Sequence, residues 1–139
     1  MTPKAYFEQV FELDKEVKSK QQERDAIRGT VLGATTWEDN PSFSNQFHST
    51  TENMVLKLDD CSNAINETVD KLVDLKMQLG TEIDQVEDRR YRIVLRERYI
   101  RCKAWADIAI EQNYDRRYIY ELHGHALNEF KKEFPDKFN

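Results

Sequence analysis

Apolar side chains recur along most of this chain at the spacing of a helix, not a strand. Tyr6, Val10, Leu13, Val17, Ile27 and Val31 keep steps of four and three, interrupted at Lys20 and Arg24. Such spacing lines one side of a helix and suits it to pair with another. Thr2 can cap this helix and Pro3 fits its first turn, so a helix is expected over about 3–28. Phe7 and Phe11 add a second strip, enough for more than one neighbour. Further on, Ser49, Thr50, Thr51 and Glu52 have the form of a capping box ahead of a long periodic run. Leu58, Cys61, Ile65, Leu72, Leu75, Leu79 and Val86 fall at heptad positions, with Thr68 and Glu82 as polar interruptions. Val55, Val69 and Val73 widen the face, and Gly80 marks a place to kink or end. The pattern predicts a helix from about Thr50 into the mid-80s.

A helix of about 35 residues would be roughly 50 Å long, too long for a compact globule of this size. The two long helices are therefore expected to form an antiparallel hairpin. The apolar stripe also predicts a homodimer through Leu58, Ile65, Leu72 and Leu79, whose two-fold symmetry would suit a palindromic target. Residues 29–48 break the periodicity with Gly29, Gly33, Asn40, Pro41, Ser42 and Ser44, and read as a loop. Its aromatics Trp37, Phe43 and Phe47 suit either a flap packed on the helices or a grip for a partner.

The pattern shortens after Asp88, which can cap a helix over 89–100 buried through Ile93, Val94, Leu95 and Tyr99. A turn at Arg101, Cys102 and Lys103 follows. A short helix over 105–112 then buries Trp105, Ile108 and Ala109, and Asn113 suits a left-handed turn. Tyr114 is read as an apolar anchor and Asp115 as the N-cap of a helix that returns Ile119, Leu122, Ala126 and Leu127 to the core. After Phe130 the tail is expected to fray, because Pro135 ends helix. The fold class is thus all-α: a long helical hairpin over 1–88, a helix-turn-helix over 89–130 and a tail over 131–139.

Composition agrees with long solvated helices. Of 139 residues 39% are hydrophobic and 34% charged, with only four Gly and three Pro. No apolar run approaches the ~20 residues needed to cross a bilayer, and the first residues carry no secretory pattern. Cys61 and Cys102 stand far apart without a CxxC pair, which predicts inert thiols, no structural metal and a cytoplasmic location. The net charge of −5 is unevenly spread. Residues 89–139 hold 12 Lys/Arg against 8 Asp/Glu, whereas residues 1–88 hold 9 against 18. A basic end can meet phosphates while an acidic end points away or engages a protein.

The basic end coincides with the helix-turn-helix, whose second helix can enter a DNA major groove. If Ile119 and Leu122 face inward, Arg116, Arg117, Tyr120 and Glu121 face the DNA beside Asp115, and Tyr118 lies at the edge near sugar or phosphate. Arg96, Arg98, Arg101 and Lys103 are assigned, where exposed, to phosphates. No phosphate loop, HExxH, nucleophile elbow or paired-carboxylate motif stands out, so no enzyme activity and no cofactor are expected. His123 and His125 would point about 200° apart on a helix, which excludes one shared metal and leaves them a surface or DNA-facing role.

These pieces resemble the DNA-binding end of sigma factors (their fourth region), and more closely the small phage transcriptional activators of the ArpU and RinA type. The matching residues are Leu95, Arg98, Tyr99 and Ile100, then Trp105, Ile108 and Ala109, then Tyr114, and finally Leu122, His123, Ala126 and Leu127. The specific resemblance covers roughly the last 45 residues; Asp115 stands where Ser is more usual, and Gln112 replaces an apolar residue. It implies a phage-encoded, sequence-specific regulator that binds double-stranded DNA and activates late genes in the host cytoplasm. A second reading keeps the same fold as a helical adaptor that docks on host RNA polymerase or another protein.

Overall fold

A computed structural model describes residues 1–34 and 41–138, with side chains described outside 31–51. Among these the chain is all-α and no strand is present. The elements are α1 (Pro3–Ala34), α2 (Pro41–Ile83), α3 (Arg89–Leu95), one π-helical turn (Arg96–Ile100), α4 (Trp105–Gln112), α5 (Arg116–Glu133) and a 3-10 turn (Pro135–Lys137). Among the described residues no helix is long and apolar enough to cross a membrane.

Both long helices run further than their sequence patterns suggest. Thr2 caps α1, its hydroxyl accepting from the Ala5 amide at 3.1 Å, but the helix continues through Gly29 to Ala34. α2 starts at Pro41, so Ser49–Glu52 lie inside a helix and form no capping box. Most of the expected 29–48 loop is therefore helical. Pro41 supplies the start instead, since its fixed φ and missing N–H suit a first helical position. Trp37 falls outside the described residues. Gly80 does not end α2, which passes it to Ile83 and spans 43 residues, about 65 Å.

The chain divides into two compact units, residues 14–71 and residues 1–13 with 72–139. This division differs from a boundary at 88, because the ends of both long helices belong with the helix-turn-helix. In the first unit Val17, Ile65 and Thr68 are buried. The Lys20 ammonium donates to the Thr68 hydroxyl at 2.7 Å, and that hydroxyl donates to the Ala64 carbonyl at 3.1 Å. One polar interruption of each pattern thus meets the other. In the second unit Tyr6 lies against Glu82, so early residues pair with late ones, the order of an antiparallel pair of helices.

Ile65, Leu72 and Leu79 are buried within this single chain. Leu58, the remaining position of the stripe expected to join two copies, is half-buried. Val55 and Val73, read as widening the buried face, are 46% and 47% exposed.

The second unit holds two connected cores. One is aromatic: Phe7, Tyr99 and Phe130 are fully buried, with Phe7–Tyr99 and Phe7–Phe130 centroids 4.8 and 4.7 Å apart. Val10, Leu79, Ile83, Val86 and Leu95 are also buried in this unit. The other is Val94, Ile108, Ala109, Ile119 and Leu122, with Tyr91, Trp105 and Tyr118 at its rim.

The C-terminal tail does not fray. Phe138 is buried and packs 5.8 Å from Phe130 and 5.6 Å from Tyr6. Lys137 reaches the Glu82 carboxylate, which also accepts from the Tyr6 hydroxyl at 2.8 Å. Burial alone would raise the Glu82 carboxyl, but hydrogen bonds from Lys137, Tyr6 and Gln78 outweigh it and hold it below its usual range. Pro135 ends α5 as expected, yet the chain turns back onto the core because Phe138 has an apolar site to fill.

Candidate nucleic-acid interface

Three short helices build the basic end. Asp88 caps α3 by accepting from the Arg90 amide at 2.9 Å, as its position in the sequence suggests. The expected helix over 89–100 is α-helical only to Leu95 and then widens into a π turn, where the Arg101 amide bonds to the Arg96 carbonyl. Cys102, in the turn that follows, is left-handed with φ 55°, and its thiol and that of Cys61 are free and half-buried. α4 packs Ile108 and Ala109 inward.

Asn113 then adopts φ 59° and ψ 41°, the left-handed conformation that ends α4 and starts the reversal into α5. The Tyr114 amide returns to the Ala109 carbonyl at 3.0 Å. Tyr114 itself is not a core anchor; it is 41% exposed and packs its ring 4.8 Å from Tyr118. Asp115 occupies the N-cap position of α5 in extended backbone, but its carboxylate makes no capping bond.

α5 buries Ile119, Leu122, His123, Ala126 and Phe130. The same helix turns Arg116, Arg117, Tyr120 and Glu121 into solvent. Neither Arg116 nor Arg117 has an ion pair among the described residues. Beside them, an open groove of about 510 Å³ is lined by Ala109, Ile110, Asn113, Tyr114 and Arg116 among others. Ile110 is 77% exposed there. It was missed in the sequence because Ile108 and Ala109 alone satisfy the α4 period.

The side chains assigned to phosphate divide differently. Arg98 is half-buried, its guanidinium 4.9 Å from the Phe11 ring and 4.6 Å from the Trp105 ring, and it donates to the Lys103 carbonyl at 2.9 Å. It holds the α4 entrance together, with its guanidinium engaged by the two rings and the carbonyl. Lys103 bridges Glu97, at 2.7 Å, and Glu111. Arg96 pairs with Asp84 and also donates to the Gly80 carbonyl at 3.3 Å. Arg101 is exposed and sits 3.7 Å from Glu97. Of the four, it alone is exposed as a whole residue.

His123 departs most from expectation. It is buried, not surface or DNA-facing, and shares a 2.7 Å hydrogen bond between Nε2 and the Tyr99 hydroxyl. The Trp105 ring lies 4.6 Å away, edge on. Burial, with Lys4 and Arg98 nearby, pushes the imidazole down to about 4, and burial pushes the Tyr99 phenol up to about 12. Because His123 stays neutral in the fold, the unfolded chain takes up its proton first as pH falls. Stability should be full above about pH 6.5 and decline toward about pH 4 through this group. Urea unfolding at pH 7 and pH 5 should show that drop, and His123→Gln should flatten it; an equal drop in both proteins would acquit His123.

Gly124 lies on the exposed side of α5, and an added Cβ there would meet nothing within 4 Å. Gly124→Ala should raise stability by about 0.5–1 kcal/mol, because helix interior glycine costs that much backbone entropy. Thermal unfolding of the variant checks this, and a lower melting point would mean that the site is more crowded than it looks.

Among the described residues no group of His, Cys, Asp and Glu is arranged to hold a metal. Compared with known protein families, curated proteins and solved structures, the chain matches none.

Proposed function

We propose that this chain binds double-stranded DNA in a sequence-dependent way and regulates transcription, with α5 entering the major groove. The observation that carries the reading is the division of α5. Ile119 and Leu122 lock it against α3 and α4, while Arg116 and Arg117 stand exposed and without an ion pair among the described residues. Arginine can read guanine through two parallel hydrogen bonds, each good pair being worth ~1–3 kcal/mol of discrimination. The other basic side chains near the turn are largely spent on Asp84, Glu97, Glu111 and aromatic rings. Arg116 and Arg117 keep their donors for a ligand. The likeness of the last 45 or so residues to ArpU and RinA activators adds phage late genes as the expected targets.

Asp115 and Glu121 lie exposed beside the two arginines, which keeps a second reading in play: an adaptor whose mixed-charge helix docks on RNA polymerase. The two separate in one experiment. The purified chain is used to select duplexes from a random-sequence pool at low salt, and in parallel is passed over host polymerase. Enrichment of a defined motif supports the DNA reader. Retention on polymerase with no enriched sequence moves the assignment to the adaptor.

A further inference from the structure

Arg90, which the sequence pattern left unassigned, stands at the α3 edge of α5 in a fixed position. Its Nε and Nη2 donate to the two Asp88 carboxylate oxygens at 3.3 and 3.0 Å, and its Nη1 donates to the Tyr118 hydroxyl at 2.9 Å. Asp88 is itself fixed, because it caps α3. The Tyr118 ring also packs edge-on against Tyr114, centroids 4.8 Å apart. A flexible surface arginine has thereby become an oriented one, although its side chain remains 50% exposed.

The hydrogen-bond inventory of this pair is incomplete in an informative way. A guanidinium carries five N–H donors, and one each from Nε, Nη1 and Nη2 is engaged, leaving two. A phenol can accept and donate at once. The Tyr118 oxygen accepts from Arg90, and its own proton has no acceptor among the described residues. Accepting from a cation also strengthens the phenol as a donor. Arg89, exposed and without an ion pair among the described residues, adds charge next door. Asp88 balances the Arg90 charge, and the site still presents two guanidinium N–H donors, the Tyr118 O–H and the Arg89 cation without an acceptor among the described residues, which is the chemistry that holds an anion with several acceptor oxygens. On a helical wheel Tyr118 lies about 60° from Glu121 and about 100° from Arg117, so the pair borders the proposed reading face.

We infer that Arg90 and Tyr118 form a clamp for one phosphodiester of the DNA backbone, flanking the bases met by Arg116 and Arg117. This rests on the DNA-reading function and adds the backbone anchor that Arg98 and Lys103, engaged inside the fold, do not supply. The clamp sets register and affinity and carries no sequence information.

The test is a salt series of DNA affinity by fluorescence anisotropy, on the motif selected above and on a mixed-sequence duplex. It compares the full chain with Arg90→Gln and Tyr118→Phe. Arg90→Gln should weaken binding to both duplexes equally and reduce the slope of log affinity against log salt by about 0.9, the value for one phosphate contact. Tyr118→Phe keeps the ring against Tyr114 and should weaken both duplexes about 5-fold, the loss of one hydrogen bond, with the slope nearly unchanged. Circular dichroism and thermal unfolding confirm that both variants fold. If the parent binds and both variants match its affinity and slope, the clamp is wrong and the reading face stands. If the variants lose preference for the selected motif while holding the mixed duplex, the pair reads bases and the clamp is again wrong. A parent that binds no duplex at any salt overturns the clamp together with the DNA reading.

Discussion

Phe130→Ala should destabilise the fold by about 3–5 kcal/mol, the range for removing a fully buried aromatic. Phe130 is 0% exposed and packs against rings from both ends of the chain: Phe7 at 4.7 Å, Phe134 at 4.8 Å and Phe138 at 5.8 Å. Those rings are long side chains held by one another, so the cavity has little means of closing. Domains of this size are stable by only about 5–15 kcal/mol, so the loss would consume a large share of the whole. Urea unfolding should show a lower midpoint with an unchanged slope. Phe130→Leu, which keeps most of the volume, should cost markedly less. A loss under about 1 kcal/mol for the alanine variant would mean that α5 and the tail are not anchored through this ring.

The double variant Arg116→Ala, Arg117→Ala should lose about 2–6 kcal/mol of sequence-specific DNA binding, roughly 30-fold to 20,000-fold in affinity, if each arginine makes one two-pronged base contact. Stability should change by no more than about 0.5 kcal/mol, because both side chains are exposed and neither has an ion pair among the described residues. Weak binding to mixed-sequence DNA should persist, carried by the backbone contacts. Competition anisotropy measures the two affinities separately. A double variant that binds the selected motif as tightly as the parent would remove α5 as the reader and leave the adaptor reading in possession.

Apolar spacing, caps and turn residues placed the starts of the basic-end helices at Arg89, Trp105 and Arg116, whereas α3 gives way to a π turn after Leu95 and α5 runs past Phe130 to Glu133. Asn113 and Asp88 show why. A left-handed residue that closes a helix and a carboxylate that caps one act on backbone groups only a few positions away, so their roles are written in local order. The inward set of α5, Ile119, Leu122 and Ala126, was legible for the same reason. The 29–48 segment was not. Gly29 and Pro41 read as turn formers, but Gly weakens a helix by only about 1 kcal/mol and Pro at a first helical position suits one. Small local preferences of this kind yield to whatever the rest of the chain favours.

Side chains that can live equally well in water or against a partner were decided only by tertiary structure. Lys20 and Thr68 looked like separate flaws in two heptad stripes, and Glu82 like a third. Folding makes Lys20 and Thr68 one hydrogen bond, and it joins Glu82 to Tyr6 and Lys137. Arg98 and His123 sit where a DNA-facing role was reasonable from sequence, yet Phe11, Trp105 and Tyr99 enclose them. Phe138, in a tail too short to hold structure alone, is ordered by Tyr6 and Phe130. The sequence by itself determined the all-α class, the helix-turn-helix and the face that α5 shows to solvent, because apolar spacing and turn chemistry are short-range. Which cations stay without a partner among the described residues and which are consumed inside the protein depended on neighbours up to 131 positions away. A charged or polar side chain has no fixed preference for burial until such a partner arrives to replace its water.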